Sequence, residues 1–585
     1  MRGLRSPPSL SPPPSPRRSA HPPSFNRRRT LPLLGACICL VVLFNSLVKT
    51  PTLDTARWTQ LFSTTRSVPR ATLGTDLSFS DYLDAHWPLG SDGQQHQHLW
   101  ITLADGLFAK TGAANLDTFI RQLNVERRHK YGRKTKDTFL VTLCLDDACV
   151  DECAERGMHA YGGFERQRPE QILRATWPKL ASLIEALPKR DLFFVDADVS
   201  FAQDPYLHME PLMANFDLLA QENDAFEHIN TGWLWMRKGQ VVADAWREVL
   251  EMDMVQVSRD QINFNWVLDT GPRRLHNDSA PWQRPLESNF VASNGLRVHV
   301  LDQRQFRVYH QRKDAWVSMH DSTVLHMTCA DDAWVKLFVP KVEGFWTDLD
   351  GYYSSPPQLL SVDQLAGPRE DLAQLFRILV ALAHYSQRAL SLPSHAIITD
   401  LDKSSPTPVR TTYETFPLSQ LAAAGADSPL NVSIVEPAYV EHAASWLLGK
   451  SLLDTDERRA DGWWESLSRG ERERRMDLAL GMTKVFDLDM RPHFTFAELL
   501  SKVLSDPLFV SASHIRLVNT EWPGFEHWRH WQLPGAVSHV GTCARLELMP
   551  SCDEVCRFDG EKRIRVDEPW PSLEQVLGLE QFEVQ

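Results

Sequence analysis

Acidic side chains are absent from residues 1–30, cysteine is sparse, and the chain as a whole has no surplus of base. Each shortage excludes something. Nine cysteines in 585 residues, with no paired C-x₂-C…C-x₂-C spacing, remove the zinc-ribbon class. A formal charge of −13 argues against a nucleic-acid binder along its whole length. The hydrophobic share of 43% and charged share of 23% are those of an ordinary folded protein. At ~100–200 residues per domain the length accommodates more than one. Tryptophan, by contrast, is abundant at 19 residues. Its flat apolar face suits sugar platforms, and equally well a packed core.

The acid-free start carries seven arginines among prolines and serines, a composition that does not bury a core and reads as a disordered basic tail over residues 1–30. Leu31 to Val48 then run for eighteen residues without a charge. A bilayer core takes ~20 residues of helix, so this is a short membrane span. Arg27, Arg28 and Arg29 stand directly before it, and the positive-inside rule sends the rest of the chain across. This is a type II signal-anchor layout, expected to place the chain in the Golgi membrane with a lumenal catalytic part. A cleaved signal would need an A-x-A-like exit, but the exit here is Asn45-Ser46-Leu47-Val48-Lys49. A transit peptide would need an amphipathic helix, which five prolines between Pro7 and Pro14 spoil. Residues 49–97 are polar and weakly periodic, as a stem would be. A lumenal address permits disulfides, with Cys149–Cys153 and Cys552 with Cys556 or Cys543 as local candidates. The sequons Asn277-Asp278-Ser279 and Asn431-Val432-Ser433 agree with that side.

From His98 the pattern becomes core-like. Strands are expected at His98–Leu103, Thr138–Leu143, within Gly157–Phe164, and at Leu192–Val195, Phe216–Ala220, Trp233–Met236, Arg297–Leu301 and Phe306–Tyr309. Amphipathic helices are expected at Asn115–His129, Gln171–Leu187 and Val241–Val255. Strands alternating with helices imply a mostly parallel, Rossmann-like α/β sheet. Leu192–Val195 ends in Asp196-Ala197-Asp198. In open α/β sheets ligands bind beyond the carboxyl ends of the strands, so this pair would place two hard oxygen ligands at the crevice. Mg²⁺ or Mn²⁺ takes one or two carboxylates plus substrate phosphate there. A surface turn would look the same from D-x-D alone. Asn230-Thr231-Gly232 reads as a polar floor for a sugar or as a tight turn before a core strand. Asp260-Gln261 could sit beneath an anomeric carbon or merely cap a helix. Asp105, just past the first strand, lies where a nucleotide could meet the backbone. His326 ends a strand and Lys336 follows. Lys179, on the helix before the two acids, reads as a helix-surface lysine or as one facing the diphosphate.

Taken together, these pieces resemble a nucleotide-diphospho-sugar transferase of the GT-A type, similar to glycosyltransferase family 77. The resemblance spans residues 98–353. It rests on Asp196-Ala197-Asp198, Asn230-Thr231-Gly232 with Trp235-Met236-Arg237, Asp260-Gln261 with Phe264-Asn265, His326, Lys336, and Glu343-Gly344-Phe345-Trp346…Tyr352-Tyr353. It implies a GT-A mixed sheet with flanking helices. Asp196, Asp198 and His326 would ligate Mn²⁺ (or Mg²⁺). Asp105, Asn230, Thr231, Gly232 and Lys336 would join the two acids in binding the donor. Asp260 or Gln261 would be the group beneath the sugar ring in a retaining transfer. The family includes arabinosyl- and xylosyltransferases, so the implied donor is a UDP-pentose and the acceptor a glycan or glycoprotein. The chain departs from the family pattern at Thr328–Val335, which is poorer in glycine and base than usual and leaves the phosphate contacts open.

Ser354-Ser355-Pro356-Pro357 reads as a linker. Residues 98–357 are then the transferase domain and 358–585 a second α/β domain large enough for its own core. A helix is expected there over Leu372–Leu390, with strands at Ala396–Thr399, Leu430–Val435, His514–Val518 and Ala544–Leu548. Two rival functions are a metal-dependent phosphohydrolase, which leaves Asn230-Thr231-Gly232 and Asp260-Gln261 without a role, and a lumenal scaffold, which would not need both acids.

Overall fold

The structure, a computed structural model, describes residues 77–132, 135–164, 172–173, 175–223, 229–255, 260–270, 288–309, 322–328, 333–400, 409–412, 416, 432–450, 463–521, 528 and 531. The tail, the span at 31–48, most of the stem, both sequon asparagines, Cys329, Cys543, Cys552, Cys556 and the strand expected at 544–548 lie outside them. Among the described residues no helix is long and apolar enough to cross a membrane.

The first half of the chain builds an eight-stranded mixed sheet from β1 (His98–Ala104), β2 (Thr138–Cys144), β3 (His159–Tyr161), β4 (Leu192–Val195), β6 (Leu218–Glu222), β7 (Ile229–Met236), β8 (Asn289–Val291) and β9 (Arg297–Leu301). Their order is β3-β2-β1-β4-β7-β6-β9-β8. β5 (Val199–Phe201), β10 (Phe306–Val308) and β11 (Val324–His326) form a small separate sheet. The helices that matter for the site are α1 (Ala114–Tyr131), α2 (Asp147–Glu155), α3 (Thr176–Ala186), α4 (Gln240–Val255), α5 (Asp260–Val267) and α6 (Ala333–Val342). The sheet is parallel from β3 to β4 and turns antiparallel at β7. The expected mostly parallel sheet is therefore parallel on one side and mixed on the other, consistent with a GT-A fold.

β4 explains its own sequence. Side chains alternate across a strand, so Leu192 and Phe194 enter the core under α3 and α4, while Phe193 and Val195 enter the core under α1. All four are at most 1% exposed. A strand covered on both faces reads as an unbroken apolar run, and each such side chain contributes about 1.5–3 kcal/mol by burial. Trp100, Trp233 and Trp246 are fully buried, so much of the tryptophan surplus is core.

Three expectations change. Asn230-Thr231-Gly232 is not a turn: the three residues lie inside β7. Lys179 is not on a helix surface but 7% exposed; it precedes Leu183 by four residues and so lies on the buried stripe of α3. The disulfide joins Cys144 to Cys149, with Cα atoms 5.4 Å apart, and Cys153 is a buried free thiol. Cys149 and Cys153 are one helical turn apart on α2, which sets their Cβ atoms ~5–6 Å apart, beyond the ~3.5–4.5 Å a disulfide spans. The bridge closes a loop with a sequence separation of 5, so Cys144→Ser is expected to cost about 2 kcal/mol in a chemical unfolding titration.

Farther along, a second sheet of five parallel strands runs in the order Ile434–Val435, Ala389–Ser391, Leu359–Val362, His514–Val518, Val485–Asp489. The helix expected to reach Leu390 ends at Tyr385, and Ala389–Ser391 is a strand. The segment after α6 meets this second half at Glu436. That carboxylate is fully buried and accepts hydrogen bonds from the Tyr352 hydroxyl at 2.6 Å and the Tyr353 hydroxyl at 3.0 Å.

Candidate metal and donor site

The candidate site is assembled at the carboxyl end of β4. The chain leaves β4 at Val195, passes through Asp196-Ala197-Asp198 and enters β5 at Val199. β5 pairs antiparallel with β11 so that Val199 faces His326. This register carries His326 to the two acids. The loop is pinned by its backbone: Asp196 N donates to Gly232 O at 2.7 Å, Val199 N to Asp196 O at 3.1 Å and Met327 N to Asp198 O at 3.2 Å. His326 Nε2 lies 3.2 Å from Asp198 Oδ1 and 3.6 Å from Asp196 Oδ2. One ligand atom from each of these residues falls within 4.8 Å of the others, a spacing that fits one small divalent cation.

The electrostatics of the two acids differ. Burial opposes ionisation of Asp198, but His326 and Lys336 beside it, by charge and by hydrogen bonds, hold its carboxyl well below the usual range. Asp196 is shifted upward by burial, reinforced by the charges of Asp198 and Asp260 against those of Lys179 and His326. Its side chain still keeps 40% of its surface open. Water and a phosphate can therefore reach it. Two carboxylates and one neutral imidazole with few fixed protein ligands suit Mn²⁺, or Mg²⁺ with more retained water.

The imidazole is oriented from behind. Gln221, fully buried on β6, donates through Nε2 to Arg307 O at 2.8 Å, which leaves its Oε1 facing His326 Nδ1 at 3.0 Å. Nδ1 then donates to that oxygen, and Nε2 faces the acids, where it would ligate an ion when one is bound. Gln221 had no assigned role in the sequence; its signal is a single amide ending an apolar strand. Outer partners of this kind set metal affinity. Gln221→Leu is expected to weaken Mn²⁺ binding about 10–100-fold in a calorimetric titration, with a stability loss of about 1–3 kcal/mol from the buried polar groups it no longer pairs.

β7 forms the other wall. Gly232 is required by close approach rather than by its φ: a Cβ there would run into His326 and Asp196 Oδ2. Asn230 is 1% exposed, and its Oδ1 accepts from Gly232 N at 2.7 Å. Thr231 N donates to Gln261 Oε1 at 3.0 Å. Lys179 Nζ reaches across to pair with Asp260 Oδ2 at 2.6 Å and to donate to Thr231 O at 3.0 Å and Oγ1 at 3.1 Å. Asp260 and Gln261 do open α5, and this lysine network ties Asp260 to β7 beside Asp196. Lys336 on α6 pairs with Asp198 Oδ2 at 2.6 Å. Asp105 caps the helical turn Gly106–Phe108, accepting from Phe108 N at 2.9 Å. The structure thus brings Asp196, Asp198, His326, Lys336, Gly232, Thr231, Asp260 and Gln261 into one neighbourhood. It ties Asn230 into its own strand, and Asp105 sits at the head of its helical turn.

Residues 135–339 match the family model described as nucleotide-diphospho-sugar transferase. The matched stretch contains every residue of this neighbourhood. No curated protein matches the chain significantly. Among solved structures, the chain is similar to the apo form of the bifunctional glycosyltransferase WbbM at 10% identity, covering 40% of this chain and 46% of that one with a TM-score of 0.28. It is similar to the glycosyltransferase GlyE of Streptococcus pneumoniae TIGR4 at 11% identity, covering 60% and 84% with a TM-score of 0.26. It is also similar to the galactosyltransferase LgtC in complex with donor and acceptor sugar analogues, at 13% identity, covering 43% and 91% with a TM-score of 0.25.

Proposed function

We propose that the region matching nucleotide-diphospho-sugar transferases is a working, metal-dependent glycosyltransferase, moving a sugar from a nucleoside-diphosphate donor to a glycan or glycoprotein with retention. The observation that carries this reading is the meeting of Asp196, Asp198 and His326 beside the Lys179–Asp260 pair. Asp196, Asp198 and His326 would hold Mn²⁺ or Mg²⁺. Such an ion, when bound, acts as a Lewis acid that neutralises the charge of a leaving diphosphate.

The chain's own groups do the rest. Lys336 can pass from Asp198 to a diphosphate oxygen and add a second positive charge where negative charge develops. Lys179 keeps Asp260 in place, and Asp260 with Gln261 would stabilise the cationic sugar ring. In a front-face transfer the leaving phosphate accepts the acceptor's proton, so no further base is needed. The resemblance to family 77 makes a UDP-pentose the donor of choice. The run at Leu31–Val48 makes a Golgi type II membrane protein the fitting topology.

The test is turnover by the full chain with Mn²⁺ and a panel of UDP- and GDP-sugars, read as nucleotide release with and without glycan acceptors. Transfer or donor hydrolysis with at least one sugar is expected. Hydrolysis of simple phosphate esters without sugar transfer would point to a phosphohydrolase instead. No turnover, with no metal-dependent nucleotide binding, would leave only a scaffold.

A further inference from the structure

The acids of the candidate metal site are held from one side that the ligand set does not include. Between the cap at Asp105 and α1, residues Ala109–Ala113 form a π-helical turn. A π-turn carries one more residue than an α-turn and is a frequent feature of functional sites. Here it presses Gly112 onto Ala197, the residue between the two acids. A Cβ on Gly112 would stand 2.9 Å from the Ala197 carbonyl carbon and closer still to its oxygen. Three backbone groups of the loop are fixed by hydrogen bonds to Gly232, Val199 and Met327. Among the described residues no backbone hydrogen bond reaches the Ala197 carbonyl, and Gly112 packs against it.

The packing has little slack. Ala109, Ala113, Ala114, Ala197, Cys144, Cys149 and Cys153 share one buried cluster of small side chains, and Gly106 lies where a Cβ would come within 2.6 Å of Ala148 Cβ. The buried cluster behind the π-turn leaves it little room to recoil. Asp196 and Asp198 project from the two peptides that flank Ala197, so a shift of its carbonyl changes the distance between their carboxylates.

We propose that Gly112 is a positioning residue for the metal site, acting through Ala197 and without touching any ligand. This rests on the transferase reading above. The helical turn that precedes the π-turn supplies a control. Gly106→Ala crowds a neighbour on α2 in the same helical segment and does not press on the acids.

The experiment titrates the full chain with Mn²⁺ alone, following free Mn²⁺ by electron paramagnetic resonance, together with circular dichroism and a melting curve. Gly112→Ala is expected to weaken Mn²⁺ at least about tenfold, in line with what outer partners of a metal site do. Gly106→Ala is expected to lower the melting temperature and leave Mn²⁺ affinity within about twofold, well short of such an effect. Where Gly112→Ala does not fold, Ala197→Gly is measured instead; it frees the same carbonyl and is expected to weaken Mn²⁺ about threefold. Wild-type affinity in a folded Gly112→Ala, or equal losses in Gly112→Ala and Gly106→Ala, would overturn the proposal while leaving the transferase reading in place. A wild-type chain that binds no Mn²⁺ would overturn that reading and this proposal together.

Discussion

Asp198→Ala is expected to lower metal-dependent transfer by at least about 10³-fold, because it removes one of three candidate ligands and the partner of both His326 and Lys336. A loss of that size corresponds to about 4 kcal/mol of transition-state stabilisation at ~1.36 kcal/mol per tenfold. The fold should survive. The side chain is 10% exposed and held by Lys336 and His326, but its removal also relieves repulsion from Asp196, which is shifted upward in part by the Asp198 charge. The two contributions oppose one another in stability and reinforce one another in activity. Steady-state kinetics with a melting curve on the same sample separates them. A folded Asp198→Ala with full rate would refute the metal assignment.

Lys179→Met is expected to act on both stability and rate. Lys179 and Asp260 are 7% and 19% exposed and 2.6 Å apart. Removing one partner of such a pair leaves a carboxylate with little water and no counter-charge, a cost of about 3 kcal/mol. The loss also frees Thr231, whose carbonyl and hydroxyl both face the amine. The wall of the cleft and Asp260 should loosen together, with transfer falling about 10–100-fold, as when an orienting outer partner is lost. The double variant Lys179→Met, Asp260→Asn tells the two effects apart. It removes the orphaned charge, so stability should return most of the way, whereas transfer should stay low because Asp260 itself is gone. Recovery of both would make the pair purely structural.

Much of this site was legible before any coordinates. Asp196 and Asp198 could be marked as candidates because they end an apolar run, and strand ends in α/β sheets are where ligands bind; His326 entered only through the family resemblance. Most strand positions followed from runs buried on both faces, as with β4. Other features were out of reach for identifiable reasons. Cys144–Cys149 was missed because pairing depends on how a strand end meets a helix start. Lys179 was misread because charge was taken to mean exposure, although its helical phase already placed it inside. Gln221 and Gly112 act through contacts with residues distant in sequence, and a single buried amide or a lone glycine is too weak a local signal to mark them. Val485–Asp489 and Leu359–Val362 escaped because short strands in a parallel sheet differ little from loop sequence until their neighbours are known.

The antiparallel pairing of β5 with β11 has a consequence for how the chain is made. Lys336 follows Asp198 by 138 residues, and chains emerge from the ribosome at about 5–20 residues per second. For roughly 7–30 s the nascent chain therefore carries two neighbouring acids without their histidine or lysine, and a β5 edge without its partner. During that interval the half-built sheet is open to the wrong partner, and the metal site does not yet exist. Capture of the ion must wait until His326 and Lys336 have emerged, and an ion bound then would hold the β5–β11 register in place.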